Sequence, residues 1–264
     1  MFQNMTLGQY YPGSSALHRL DPRMKIGLTT LYIAGIFMLR GWMAYAVVTA
    51  FVIAIAAVSG VPPKVLLRGL KPIMYLVIFT FILNLFSSTG ETVLFHWWII
   101  RVTAEGMMQA FQLMARLVFL VLGTSLLTLT TSPIALTDGL ERVLSPLKVI
   151  RFPAHELAMM MTIALRFIPT LMGEADRIMK AQMARGADFE SGNLLKRARA
   201  MVPLLVPLFV SAFRRADELG LAMEARCYHG GEGRTRMRQL RCTTRDYLAL
   251  CITAAWLALL IVLR

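Results

Sequence analysis

The chain alternates between long apolar runs and short polar breaks. Four runs come first, Ile26 to Leu39, Met43 to Val61, Pro72 to Phe86 and Met107 to Thr130, and a fifth, Tyr247 to Leu263, closes the sequence. A helix needs roughly 20 apolar residues to cross the hydrocarbon core of a bilayer. The first and third runs fall short of that and must recruit flanking residues or a locally thinned bilayer. The pattern predicts an all-α integral membrane protein with about five transmembrane helices.

A different texture separates the fourth run from the fifth. Residues 131 to 245 hold eighteen of the chain's 28 Lys and Arg, together with two shorter apolar stretches, His155 to Gly173 and Met201 to Phe213. The first stretch carries Glu156 and Arg166, and the second is thirteen residues long with Pro203 and Pro207 inside it. A further pair of crossings would also strand the charges between them on the outer side. The stretches are therefore read as parts of two long helices outside the hydrocarbon core. Pro153 can open the first, from about Ala154 to Ala184, and Gly186 can stop it. After a break at Ser191-Gly192-Asn193, the second runs from about Leu195 to Ala225 and ends before the glycine-rich segment at His229.

Basic residues set the expected orientation. Arg19, Arg23 and Lys25 precede the first run, Lys64, Arg68 and Lys71 separate the second from the third, and the 131 to 245 stretch is heavily basic. Only Arg40 separates the first two runs, and Arg101 is the one basic residue between 87 and 106. Placing the basic segments inside predicts a cytoplasmic N-terminus, five crossings and an outside C-terminus. The expected organisation is an N-terminal segment with four membrane helices (1–130), a cytoplasmic helical region (131–245) and a final membrane helix (246–264).

Composition agrees with this and excludes other classes. Hydrophobic residues make up 57% of the chain, too many for an ordinary soluble domain. A formal charge of +13 invites a nucleic-acid reading, but topology accounts for the basic residues first, and no nucleic-acid partner is expected. Cys227, Cys242 and Cys251 show neither a metal-knuckle spacing nor an even count. His18, His96, His155 and His229 are scattered, and no phosphate-binding loop or nucleophile motif appears. The chain is expected to have no catalysis, metal or cofactor of its own, and no removable signal peptide is apparent.

The basic region also contains a repeat. Ala175-Asp176-x4-Ala181-x2-Ala184-Arg185 recurs 41 residues later as Ala216-Asp217-x4-Ala222-x2-Ala225-Arg226. One arginine at a helix end needs no function, since a cation there gains about 0.3–1 kcal/mol from the helix dipole. Two copies with the same flanking alanines argue for more, because the alanines leave each tip slim beside a planar cation that can hold carboxylates or carbonyls bidentately. The carboxylates of Glu174, Asp176, Asp188, Asp217, Glu218 and Glu224 are read as helix partners rather than reacting acids. The eight methionines between 155 and 226 suit packing or a face that repacks against several partners. Arg116, within the fourth run, is expected to snorkel outward.

At these residues the chain resembles the transmembrane T component of energy-coupling factor (ECF) transporters, bacterial importers of vitamins and trace metals. The resemblance runs through Gly8-Gln9-Tyr10, Pro12-Gly13-Ser14, His18-x-Leu20-Asp21-Pro22-Arg23-x-Lys25, Leu165-Arg166-Phe167-Ile168-Pro169 and the two Ala-Arg motifs. It implies that Ala184-Arg185-Gly186 and Ala225-Arg226-Cys227 end cytoplasmic coupling helices that enter grooves on two ABC-type ATPase subunits. Those subunits would bind ATP and Mg. It further implies a bacterial inner-membrane location and a membrane-embedded S component, one of several interchangeable ones, that captures the substrate. Cys227 stands where the second motif often has Gly, so a left-handed backbone there would cost roughly 1 kcal/mol. Two alternatives remain at this point: a T component dedicated to cobalt or nickel, and a conventional permease domain forming the substrate path itself.

Overall fold

The computed structural model describes residues 10–87, 93–97, 100–187, 189, 193–230, 240 and 242–263. They form α1 (Pro22–Phe37), α2 (Gly41–Ser59), α3 (Pro63–Arg68), α4 (Met74–Ser87), a hairpin of β1 (Val93–Trp97) and β2 (Ile100–Thr103), and then α5 (Ala104–Thr130) and α6 (Pro133–Leu144). A 3-10 turn at Ser145–Ile150 leads to α7 (Ala154–Ala184), α8 (Leu194–Glu224) and α9 (Thr244–Val262). The opening Gly-Gln pair of the family resemblance, Asp188 and the Ser191-Gly192 break lie outside the described residues, as does the segment 231–239.

Local chemistry explains most helix boundaries. Asp21 caps α1, its carboxylate accepting the Arg23 N–H at 3.0 Å, while Pro22 fills a first-turn position that lacks a partner anyway. Gly60, at φ +67°, ends α2. Thr103 caps α5 by accepting the Gly106 N–H. Thr243 and Asp246 form a reciprocal capping box at the start of α9. The hairpin is the one departure from an all-helical chain among the described residues, and it occupies the segment expected to be an external loop.

The structure divides into two compact units, one made of residues 10–140 with 240–263 and the other of 141–230. In the first, α1 packs between α5 and α9, α2 lies against α5 and α9, and α4 covers another side of α5. Its core is aromatic: the Trp256 ring stacks on Phe51 at 4.5 Å and on Tyr32 at 5.7 Å, with Ile36, Val48 and Leu260 buried around them. The Tyr32 hydroxyl donates to the Phe119 carbonyl at 2.8 Å, while the buried Trp256 indole N–H finds no hydrogen-bond partner among the described residues. Gly123 lets α5 approach α1, because a Cβ there would lie 2.0 Å from the Tyr32 ring.

Among the described residues, α2, α5, α7 and α9 are each long and apolar enough to cross a bilayer, and the apolar part of α4, Met74–Phe86, is shorter. The chain is a multi-pass membrane protein. α1 and α4, at 16 and 14 residues, match the short first and third runs. The sequence pattern places α7 outside the hydrocarbon core, yet its length and composition alone permit a span. Only 6% of its apolar window is buried within the chain, so that face must meet lipid or another protein. The Arg116 guanidinium donates to the Leu39 carbonyl at 3.0 Å, tying the exit of α1 to α5.

Candidate functional site

The second unit is built on α7 and α8, which pack against each other. Each begins and ends within one residue of where the prolines, glycines and alanines of the sequence place it. Glu174 of α7 binds them together. Its carboxylate accepts from the Ser211 hydroxyl and, at 3.1 Å, from the Arg215 guanidinium, both on α8. The Ser211 hydrogen bond, opposed by partial burial and aided by Arg215, holds the Glu174 carboxyl below the usual carboxylate range. Arg214 and Glu218 form an exposed pair one helical turn apart. On α7's own side, His155 meets Glu141 at 3.0 Å and the Tyr228 hydroxyl reaches the Met159 sulfur.

The sequence repeat is also a structural repeat. At the end of α7 the Ala187 N–H donates to the Gln182 carbonyl at 3.0 Å and the Gly186 N–H to the Met183 carbonyl at 2.9 Å. This is the paired closure of a Schellman motif, and Gly186 supplies the left-handed residue that it needs, at φ +88°. Forty-one residues on, the Tyr228 N–H donates to Met223 at 3.1 Å and the Cys227 N–H to Glu224 at 2.8 Å. Cys227 takes the left-handed position, at φ +56°. The second arm thus keeps the closure of the first despite losing the glycine.

Both closures turn the chain away immediately after an arginine. Ala184, Arg185 and Gly186 are exposed, as are Ala225, Arg226 and Cys227. Neither Arg185 nor Arg226 makes an ion pair or side-chain hydrogen bond with another described residue. The dipole reading would be satisfied by an arginine folded back on its own helix carbonyls, and these side chains do not do that. α8 also carries an uncovered apolar stripe at helical spacing: Val202, Val206, Phe209, Val210 and Phe213 are 52% to 70% exposed.

The first unit contains an apolar cavity of about 580 Å³ among α1, α2, α5 and α9. Leu28, Tyr32, Phe51, Ile55, Leu126 and Ile252 line much of it. Lys25, at its rim, already gives its ammonium to the Thr130 carbonyl at 2.9 Å and the Thr131 hydroxyl at 3.1 Å. Such a lining suits lipid chains better than a polar solute. No cluster of His, Cys, Asp and Glu able to hold a metal occurs among the described residues.

The fold defines a multi-pass helical membrane protein that also carries a pair of long helices ending in exposed arginines. A family profile described as cobalt transport protein (CbiQ) matches residues 13–237. The chain is 56% identical over 251 residues to the energy-coupling factor transporter transmembrane protein EcfT of Thermosediminibacter oceani, covering 95% of this chain and 94% of the relative. It is 55% identical over 250 residues to the EcfT of Clostridium kluyveri, covering 94% and 93%. Against the EcfT of Bacillus subtilis the identity is 48% over 264 residues, covering 100% of both. The chain belongs to this family, the transmembrane T components of energy-coupling factor transporters.

Proposed function

We propose that this T component works as a mechanical coupler, with α7 and α8 as its coupling helices and Arg185 and Arg226 as their docking points on two ABC-type ATPase subunits. The observation that carries the reading is the duplicated closure, which presents two exposed guanidinium groups, neither paired with another described residue, on equivalent scaffolds 41 residues apart. Docking residues that must enter a groove need a slim neck, and Ala181, Ala184, Ala222 and Ala225 provide it. In this reading ATP and Mg are bound by the ATPases, and this chain contributes neither catalysis nor a cofactor.

The apolar stripe of α8 and the exposed Met160 and Met161 of α7 are faces for a membrane-embedded S component that captures a vitamin or micronutrient. Flexible thioethers suit a surface that receives several such partners in turn. The N-terminus and the coupling helices lie on the cytoplasmic side of the bacterial inner membrane, and the C-terminus lies outside. α1, α2, α4, α5 and α9 cross the bilayer. α7 does not, because Glu156, Arg166, Glu174, Asp176, Arg177 and Lys180 would bring too much charge into the hydrocarbon.

The test is the double substitution Arg185→Glu with Arg226→Glu. The tagged chain is expected to reach the membrane and yet lose both co-purifying ATPases and ATP-driven uptake. Retained ATPase capture and transport would reject the assignment of these residues.

A further inference from the structure

The Asp21-Pro22-Arg23-x-Lys25 segment does more than start a helix. Its residues touch both strands of chain that leave the first unit for the second. On the outgoing side, Lys25 donates to the Thr130 carbonyl at 2.9 Å and the Thr131 hydroxyl at 3.1 Å, gripping the junction of α5 and α6. One helical stretch further, Gly139 of α6 lies directly on Pro22, where a Cβ would sit 2.9 Å from the Pro22 Cβ and 3.3 Å from the Arg23 nitrogen. On the returning side, the Arg23 guanidinium donates to the Leu240 carbonyl at 2.9 Å. The Asp21 N–H donates to the Asp246 carboxylate at 2.8 Å, which also closes the α9 capping box.

These groups are buried. Lys25 and Asp21 are each 6% exposed, and Asp246 only 1%. Buried charges are costly unless held. Lys25 is held by the Thr130 carbonyl and Thr131 hydroxyl, and Asp246 by the Asp21 and Thr243 N–H groups. Asp21 is held by the Arg23 N–H on one carboxylate oxygen, the other having no hydrogen-bond partner among the described residues. A helix cap alone requires Asp21 and Pro22 and explains neither the Arg23 contact with Leu240 nor the Gly139 contact with Pro22.

We infer that Asp21, Pro22, Arg23 and Lys25 form a clasp that fastens both connections to the coupling helices at one point. Gly139 and Asp246 are its seats on the two strands. Motion of the coupling helices then reaches α5 and α9 together, through the start of α1. These are positioning residues, and the inference rests on the proposed coupling role.

Hydrogen exchange of the purified complex, with and without Mg and a non-hydrolysable ATP analogue, tests this without needing the transported compound. In the parent, nucleotide is expected to change exchange in α7 and α8 and also in α5 and α9. Arg23→Gln is expected to keep the response of α7 and α8 and lose that of α5 and α9, with nucleotide-free protection around Trp256 unchanged. Gly139→Ala, a smaller disturbance, is expected to do the same in part, and it supplies the readout should Arg23→Gln fail to assemble. A membrane-unit response equal to the parent's in these variants overturns the clasp alone, as does a parent response confined to α7 and α8. A parent that responds in neither unit overturns the coupling role, and the clasp with it.

Discussion

The two units are held together by different means. The membrane unit owns a buried core, with Trp256, Tyr32 and Phe51 stacked among α1, α2 and α9 and a tyrosine hydroxyl satisfied on the α5 backbone. The coupling pair has little of this. α7 and α8 meet through Glu174, Ser211 and Arg215, and α8 leaves a row of valines and phenylalanines uncovered. A unit with its own core is stable by itself, whereas a helix pair with an uncovered apolar face is completed by something else. In the proposed reading the contrast separates a scaffold from an adaptor.

The largest blow to that contrast falls on the scaffold. Trp256→Ala removes the ring on which two others stack, and large-to-small core changes of this kind cost about 3–5 kcal/mol. The expected result is a clear drop in the melting temperature of the detergent-solubilised chain. Phe209→Ser with Phe213→Ser should do the opposite: stability of the isolated chain should stay within about 0.5 kcal/mol, as expected of exposed sites. Assembly with the S component should fall sharply in a pull-down. Equal stability losses in the two cases would erase the distinction.

A finer comparison lies between the arm tips. Cys227→Gly should steady the second closure by about 0.5–1 kcal/mol, and Gly186→Ala should loosen the first by a similar amount, since each concerns one left-handed residue. Exchange rates at the Tyr228 and Ala187 amides report the change directly. The smallest effect concerns Glu174. Its carboxyl is held below its ordinary value, so the link between α7 and α8 contributes fully above the unfolded-state carboxylate pKa and is lost as pH falls through the lower folded-state value. Glu174→Gln should remove that acid sensitivity, as read by the pH dependence of proteolysis between the helices.

Much of this architecture was legible in the residues. Asp21-Pro22 announced the start of α1, and Pro153 and Gly186 bracketed α7 almost to the residue, because caps and breakers act locally. The repeat around Arg185 and Arg226 revealed the equivalence of the tips, and the left-handed Cys227 carries the strain expected of a non-glycine there. Long-range contacts were not legible. Arg116 reaching Leu39, Asp21 meeting Asp246 and Arg23 meeting Leu240 join residues 77, 225 and 217 positions apart, and no local pattern encodes such pairings. The β1–β2 hairpin also escaped, since its strands are short and lie between apolar runs that dominate any hydropathy reading.

The central claim, that the arm tips dock on the ATPases, can be tested with a thiol already in place. Cys227 is exposed beside Arg226, and replacing Cys242 and Cys251 by serine leaves it as the single cysteine. The account predicts rapid maleimide labelling of Cys227 in the isolated chain and strong protection in the complex with the ATPase subunits. Labelling at the same rate in both would contradict it.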